Sequence, residues 1–136
     1  VVARYFDSSL FEIVRGALPD VPTKPAPQGT CALMQKLGVT AESGEVLYVG
    51  DSNVDVATAH NAGLPCCGVL WGFRTQEELQ QAGAEYLAAT MQDLEKVILR
   101  ADITYEDGTT VTKYAKIKSS SAYSVGYLIF YEIQPV

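Results

Sequence analysis

The sequence predicts an α/β domain built on a parallel sheet and followed by a β-rich tail. Three observations carry the prediction. From Thr23 to Arg100 short apolar runs alternate with amphipathic segments that have helix end signals, the pattern of successive βαβ units. The 136 residues, 48% hydrophobic and 19% charged, suffice for one folded domain with a real core and give no sign of a disordered chain. After Arg100 the chain turns to Thr, Tyr and Val around an Asp107-Gly108 pair, the chemistry of a hairpin.

The elements follow in order. Phe11 to Val14 reads as a strand, and Asp7, just ahead of it, as a loop residue. Pro25 and Pro27 hold an extended approach, because the residue before a proline avoids the helical region, and so place Lys24 in a loop. Thr30 to Leu37 is the first long helix, ended by Gly38; Val46 to Val49 is the strongest strand; Asn53 to Ala62 is a second helix, ended by Gly63. Cys66 to Leu70 and Glu85 to Ala88 are further strands. Thr75 with Glu78, and Thr90 with Asp93, each pair a hydroxyl cap with an acid three residues later and start two more helices. Leu94, Val97 and Ile98 give the last of these an apolar face. Ala101 to Lys118 reads as a hairpin, Ser119 to Ser121 as a polar break, and Tyr127 to Ile133 as a strand buried on both faces. The organisation expected is residues 1–100 as an α/β core and 101–136 as a hairpin plus strand that completes the sheet.

Composition excludes several functions. A formal net charge of -6 argues against nucleic acid as a partner, since phosphate-backbone affinity rests on clustered Lys and Arg. No apolar run approaches a membrane span, so no membrane partner is expected. Cys31, Cys66 and Cys67 are odd in number and lack zinc spacing, and the adjacent pair reads as small buried hydrophobes, which favours a reducing, cytoplasmic setting. The chain begins at Val1 without a methionine, and we expect it to be a piece of something longer.

The chemistry concentrates at Val46-Leu-Tyr-Val-Gly50-Asp51-Ser52-Asn53-Val54-Asp55, an apolar strand that enters a glycine turn and then a helix. Ligands of open parallel sheets bind beyond the carboxyl ends of the strands, so Asp51 stands where a site belongs and Asp55 lies one helical turn on. Two hard carboxylates there suit magnesium, which keeps several waters and takes substrate phosphate as a ligand. The pattern alone also fits Asp51 as a helix cap and Asp55 facing solvent. Lys24 upstream could neutralise a phosphoryl group as a point charge, or be a solvated surface lysine. Asn53 is a candidate to orient the acidic pair, or simply a first-turn residue. His60 reads as a surface or helix-end residue, and Trp71 and Phe73 as core or loop packing.

The order Lys24-Pro25, Gly50-Asp51-Ser52-Asn53-Val54-Asp55, Asn61-Ala62-Gly63 and Gly68-Val-Leu-Trp71-Gly72-Phe73-Arg74 resembles the haloacid-dehalogenase (HAD) superfamily, within it the phosphoglycolate phosphatase-like proteins. The likeness covers the first three quarters of the chain. It implies a Rossmann-like parallel sheet of HAD type, truncated here on its amino-terminal side, and a magnesium-dependent phosphomonoester hydrolase acting on a small phosphorylated metabolite. It further implies Lys24 as the catalytic, phosphate-binding lysine, and Asp51 and Asp55 as the carboxylates that bind or position Mg2+, directly or through water.

The resemblance also exposes a gap. Members of the superfamily attack phosphate with an aspartate in an Asp-x-Asp-Gly-Thr motif, forming an aspartyl-phosphate, and carry a Ser or Thr motif on a second strand. Neither motif precedes Lys24 here. Ile103-Thr104-Tyr105-Glu106-Asp107-Gly108-Thr109 imitates the nucleophile motif with tyrosine in place of the attacking aspartate, and the hairpin reading accounts for it without chemistry. The expectation is therefore a half-site, inactive as this chain alone. The rival is a truncated or recombined non-catalytic fold that self-associates through open sheet edges, or is complemented by a second chain.

Overall fold

A computed structural model describes residues 2–43, 46–104, 106–123 and 126–133, with side chains described for residues 4–7, 9–43, 46–98 and 106–109. The helices are α1 (Val2–Tyr5), α2 (Gln28–Leu37), α3 (Asn53–Asn61), α4 (Gln76–Gln81) and α5 (Met91–Leu99). The strands are β1 (Ile13–Arg15), β2 (Val46–Gly50), β3 (Cys66–Val69), β4 (Tyr86–Ala88), β5 (Arg100–Thr104), β6 (Thr110–Tyr123) and β7 (Gly126–Ile133).

The helix ends obey the local chemistry. Gly38 and Gly63 follow α2 and α3 with φ of 69° and 74°, left-handed geometry that a side chain would resist. Thr75 and Glu78 form a full capping box at the start of α4: the Thr75 hydroxyl accepts from the Glu78 N–H, and the Glu78 carboxylate accepts from the Thr75 N–H. Thr90 and Asp93 make the same reciprocal contacts ahead of α5.

The sheet runs β1-β6-β7-β2-β3-β4, with β5 paired to β6. The central unit is parallel: Tyr48 to Gly50 of β2 pair with Cys66 to Gly68 of β3, and Cys67 to Val69 pair with Tyr86 to Ala88 of β4. The tail enters the sheet beside β2, where Val46 to Val49 pair antiparallel with Phe130 to Tyr127 of β7. β6 returns antiparallel to β7 and reaches β1 in parallel register. The strand near the amino end is thus separated from β2 by the β6–β7 hairpin.

Helices cover both faces, which explains why β2 is apolar at every position rather than at alternate ones. Val46 and Tyr48 point into one core layer with Leu33 and Met34 of α2, Val56 and Ala59 of α3, and Leu79 of α4. Leu47 and Val49 point the other way, toward Leu94 and Ile98 of α5 with Cys67, Val69 and Ala88. Each large aliphatic side chain fully buried in this way contributes about 1.5–3 kcal/mol. The two layers clamp β2 and β3, and therefore fix the loops at their carboxyl ends.

Candidate functional site

The carboxyl end of β2 delivers Gly50, Asp51 and Ser52 in succession before α3 begins. Ser52 is the N-cap of α3: it has extended backbone, and its hydroxyl accepts from the Asp55 N–H at 3.3 Å. Asp55, in the first turn, folds back toward the strand and is fully buried. Gly50 makes this return possible, because a Cβ there would overlap Cβ and Cγ of Asp55.

Both oxygens of Asp55 are engaged. Oδ1 accepts from Lys24 Nζ at 2.7 Å and from the Tyr48 hydroxyl at 3.4 Å. Oδ2 accepts from the Ser52 hydroxyl at 2.7 Å and from the Asp51 N–H at 3.2 Å. Four donors use the lone-pair capacity of a carboxylate, and the position at a helix N-terminus favours its charge further. The Lys24 side chain is 11% exposed and that of Asp55 0%, so the ion pair is held largely away from water. The Lys24 loop is itself tied down, because the Pro25 carbonyl accepts from Asn61 Nδ2 at 2.9 Å at the end of α3.

Asp51 is different. Its Oδ2 accepts from the Phe73 N–H at 3.1 Å across the turn that follows β3, while its Oδ1 is buried with no hydrogen-bond partner. A buried carboxylate oxygen without a donor is costly, and a cation is a natural partner for it. Among the described residues no group of three or more His, Cys, Asp or Glu side chains gathers to cage a metal ion. The fit is that of one carboxylate vertex, with the other positions left to water and phosphate, a mode that magnesium accepts.

The structure brings Lys24, Asp51 and Asp55 to one rim. It places Asn53 exposed at the start of α3, and Ser52 is the residue bonded to Asp55. The serine in the cap position was the sequence signal for that role. Tyr48, inside a predicted strand, gave none, and Asn61 entered only as part of the Asn61-Ala62-Gly63 motif, with no role attached. Trp71 and Phe73, read as core or loop packing, lie in the loop: they are 48% and 84% exposed, because the turn from β3 to α4 passes over the rim instead of into the core. His60 sits at the surface, 2.9 Å from Glu85 Oε1, while the other oxygen of Glu85 accepts from the Cys66 N–H. Cys66 and Cys67 are buried, and burial pushes both thiols up, Cys67 to about 11.

The Asp107-Gly108 segment forms a turn between β5 and β6, and Asp107 Oδ1 accepts from the Thr109 N–H at 2.9 Å. Tyr105 lies outside the described residues. β6 runs parallel to β2, with Tyr123 at the site end and Thr110 at the other. Its 14 residues set Asp107 roughly 40 Å along the strand from that end at ~3.3 Å per residue. The motif-like passage is a hairpin turn remote from Asp51.

Fold and rim together define an α/β protein with a lysine–carboxylate pair and, beside it, a carboxylate with one unpartnered buried oxygen beyond its parallel strands. Residues 21–95, more than half of the chain, match the HAD-hydrolase-like family, and the chain belongs to that family. Over 87 residues it is 34% identical to a phosphoglycolate phosphatase of Yersinia pestis, covering 64% of this chain and 37% of that protein. A candidate phosphoglycolate phosphatase of Lactobacillus delbrueckii subsp. bulgaricus superposes with a TM-score of 0.63 at 34% identity, over 71% of this chain and 39% of the other. A candidate haloacid dehalogenase-like hydrolase of Bacteroides fragilis gives 0.61 at 31% identity, over 68% and 43%. The chain spans less than half the length of these relatives.

Proposed function

We propose that this chain carries the lysine and metal side of a magnesium-dependent phosphomonoester hydrolase site of the phosphoglycolate phosphatase kind, and holds a phosphoryl group there without turning it over alone. The observation that carries the reading is the rim itself: Lys24 locked on buried Asp55 beside Asp51 with a free buried oxygen. Lys24 brings its ammonium charge to the phosphoryl oxygens, and Asp55 holds that ammonium in place. Asp51 supplies the ligand for Mg2+, and Asp55, its oxygens already used, positions rather than coordinates. When bound, Mg2+ would supply positive charge at a phosphoryl oxygen. The substrate is a small phosphorylated metabolite, as the names of the relatives suggest, and two buried free thiols suit a reducing cytoplasmic setting.

In this reading residues 1–100 are the hydrolase core and residues 101–136 fill the sheet beside β2. The pairing of β7 with β2 also favours a second reading, a recombined scaffold that binds nothing. The deciding experiment measures phosphate release from an aryl phosphate and from 2-phosphoglycolate, with and without Mg2+. In parallel, inorganic phosphate is titrated into the wild-type chain and into Lys24→Met and Asp51→Asn. Mg2+-dependent phosphate binding lost in both variants, without turnover, is expected. No binding in a folded chain would leave the scaffold reading, and turnover lost in Asp51→Asn would reveal a nucleophile within this chain.

A further inference from the structure

We infer that the turn Trp71-Gly72-Phe73 is a positioning clamp that holds Asp51 as a one-oxygen metal ligand, and that Gly72 is the residue on which the clamp depends. The inference rests on the proposed metal role of Asp51 and deepens it.

Two observations, both on the Oδ2 side of the carboxylate, support it. The Phe73 N–H donates to Asp51 Oδ2 at 3.1 Å, which engages that oxygen and fixes the plane of the group. Gly72 lies so close that a Cβ built there would overlap Cβ, Cγ and Oδ2 of Asp51. The first overlap is with an atom beside the main chain, which cannot swing away as the tip of a long side chain can, so either the turn or the carboxylate must move. Oδ1 is what remains, buried and without a partner. The clamp therefore presents one oxygen and withholds the other. Such partners of a metal ligand typically govern about 10–100-fold in affinity.

The turn comes from β3 and its anchor is firm. Gly68 in β3 packs under Leu79 and Leu87, and Leu70 N–H donates to the Ala88 carbonyl at 2.9 Å, so the start of the turn is set by the core. The exposed Trp71 and Phe73 side chains then need no packing role for the clamp to work, since it acts through a backbone N–H and a missing Cβ.

The test titrates Mn2+ into the 136-residue chain, following the free ion by electron paramagnetic resonance, and repeats it in Asp51→Asn, Gly72→Ala and Gly16→Ala. Gly16 has nothing within 4 Å of a built Cβ and serves as the glycine control. The Phe73 amide resonance is followed in parallel. Expected are loss of the tightest binding component in Asp51→Asn, weakening by about tenfold or more in Gly72→Ala, no change in Gly16→Ala, and a Phe73 amide that shifts in Asp51→Asn. Binding in Gly72→Ala within twofold of wild type, with Asp51→Asn still defective, overturns the clamp and leaves the metal reading standing. Absence of any Asp51-dependent component in wild type overturns both. If Gly72→Ala does not fold, the same substitution in an Asp51→Gly background must fold, because the overlapping atoms are gone; failure there places the conflict elsewhere and overturns the clamp.

Discussion

Replacing Lys24 by methionine keeps most of the aliphatic stem and removes the charge, which leaves Asp55 fully buried with one strong donor fewer. Removing one member of a buried ion pair typically costs about 3–5 kcal/mol, since the abandoned charge keeps its desolvation penalty. Asp55 would retain the Ser52 hydroxyl and the Asp51 N–H, and the Lys24 side chain is 11% exposed, so the lower end applies, about 3 kcal/mol. With a urea slope of ~1.5 kcal/mol per molar, the unfolding midpoint followed by circular dichroism should fall by about 2 M. Asp55→Asn should cost a similar amount, and the double variant should be better than the sum by about 2 kcal/mol, because the two changes remove the same contact. A loss below about 1 kcal/mol for Lys24→Met, additive with Asp55→Asn, is the behaviour of a solvated surface lysine. That result would refute the buried pair and with it the positioned ammonium.

Four further outcomes are expected. Native chain treated with a thiol-specific chromogenic reagent should label Cys31 alone of its three cysteines, and all three once denatured, because Cys66 and Cys67 are buried with thiols pushed up by desolvation. Fast labelling of a second thiol in the native state would contradict the packing of β3. Thr75→Ala should cost about 1 kcal/mol by removing the α4 cap. The Thr75 N–H holds the Glu78 carboxyl below its usual range, so the Glu78 contribution is present above the ordinary carboxylate pKa and lost as pH falls through the lowered one. Glu78→Gln should accordingly flatten that part of the acid limb, and an unchanged limb would remove the argument. Truncation after residue 100 should uncover the β2 edge at Val46 to Val49 and abolish cooperative unfolding, read by near-ultraviolet circular dichroism and size-exclusion chromatography. A monomeric, cooperatively folded 1–100 chain would show that β7 is not needed.

Where a signal is local, the sequence carried it to the structure. The β2 strand, the Asp51 turn and the Thr75–Glu78 box each depend on residues within a few positions of one another, whereas the α3 cap is Ser52 and not the Asp51 that the pattern also allowed. The Lys24–Asp55 contact spans 31 residues; the order of motifs pointed to a shared rim, since a βαβ unit returns successive loops to one edge, but not to the ion pair itself. Three things were not legible. Asn53 and Ser52 adjoin, and only the backbone turn decides which faces Asp55. Trp71 and Phe73 fit core or loop by sequence, and only the turn decides between them, since it keeps a backbone N–H at the rim and sends the rings outward. The apolar run Tyr127 to Ile133 predicts a strand that completes the sheet, but that both β6 and β7 enter between β1 and β2 rests on pairings across some 80 residues, which no local pattern encodes.

The tail bears on activity as well as on stability. In a hydrolase of the proposed mechanism the attacking group must stand next to β2 at the end where Asp51 sits. Here that neighbour is β7, which arrives there with Gly126 and Tyr127, and beyond it β6 ends at Ala122 and Tyr123. Between Ile117 and Tyr131 the sequence contains no Asp or Glu, so the strands that flank β2 bring no carboxylate to the rim. Ser and Tyr hydroxyls are available in that stretch, but a hydroxyl is a weak nucleophile without a base beside it, and His60, the one histidine, is paired with Glu85 at the far end of α3. In the proposed reading the chain thus joins its lysine–carboxylate rim to a sheet neighbour that brings no Asp or Glu to it. Phosphate binding without turnover is the behaviour this combination predicts, and turnover would locate an attacking group that these strands do not supply.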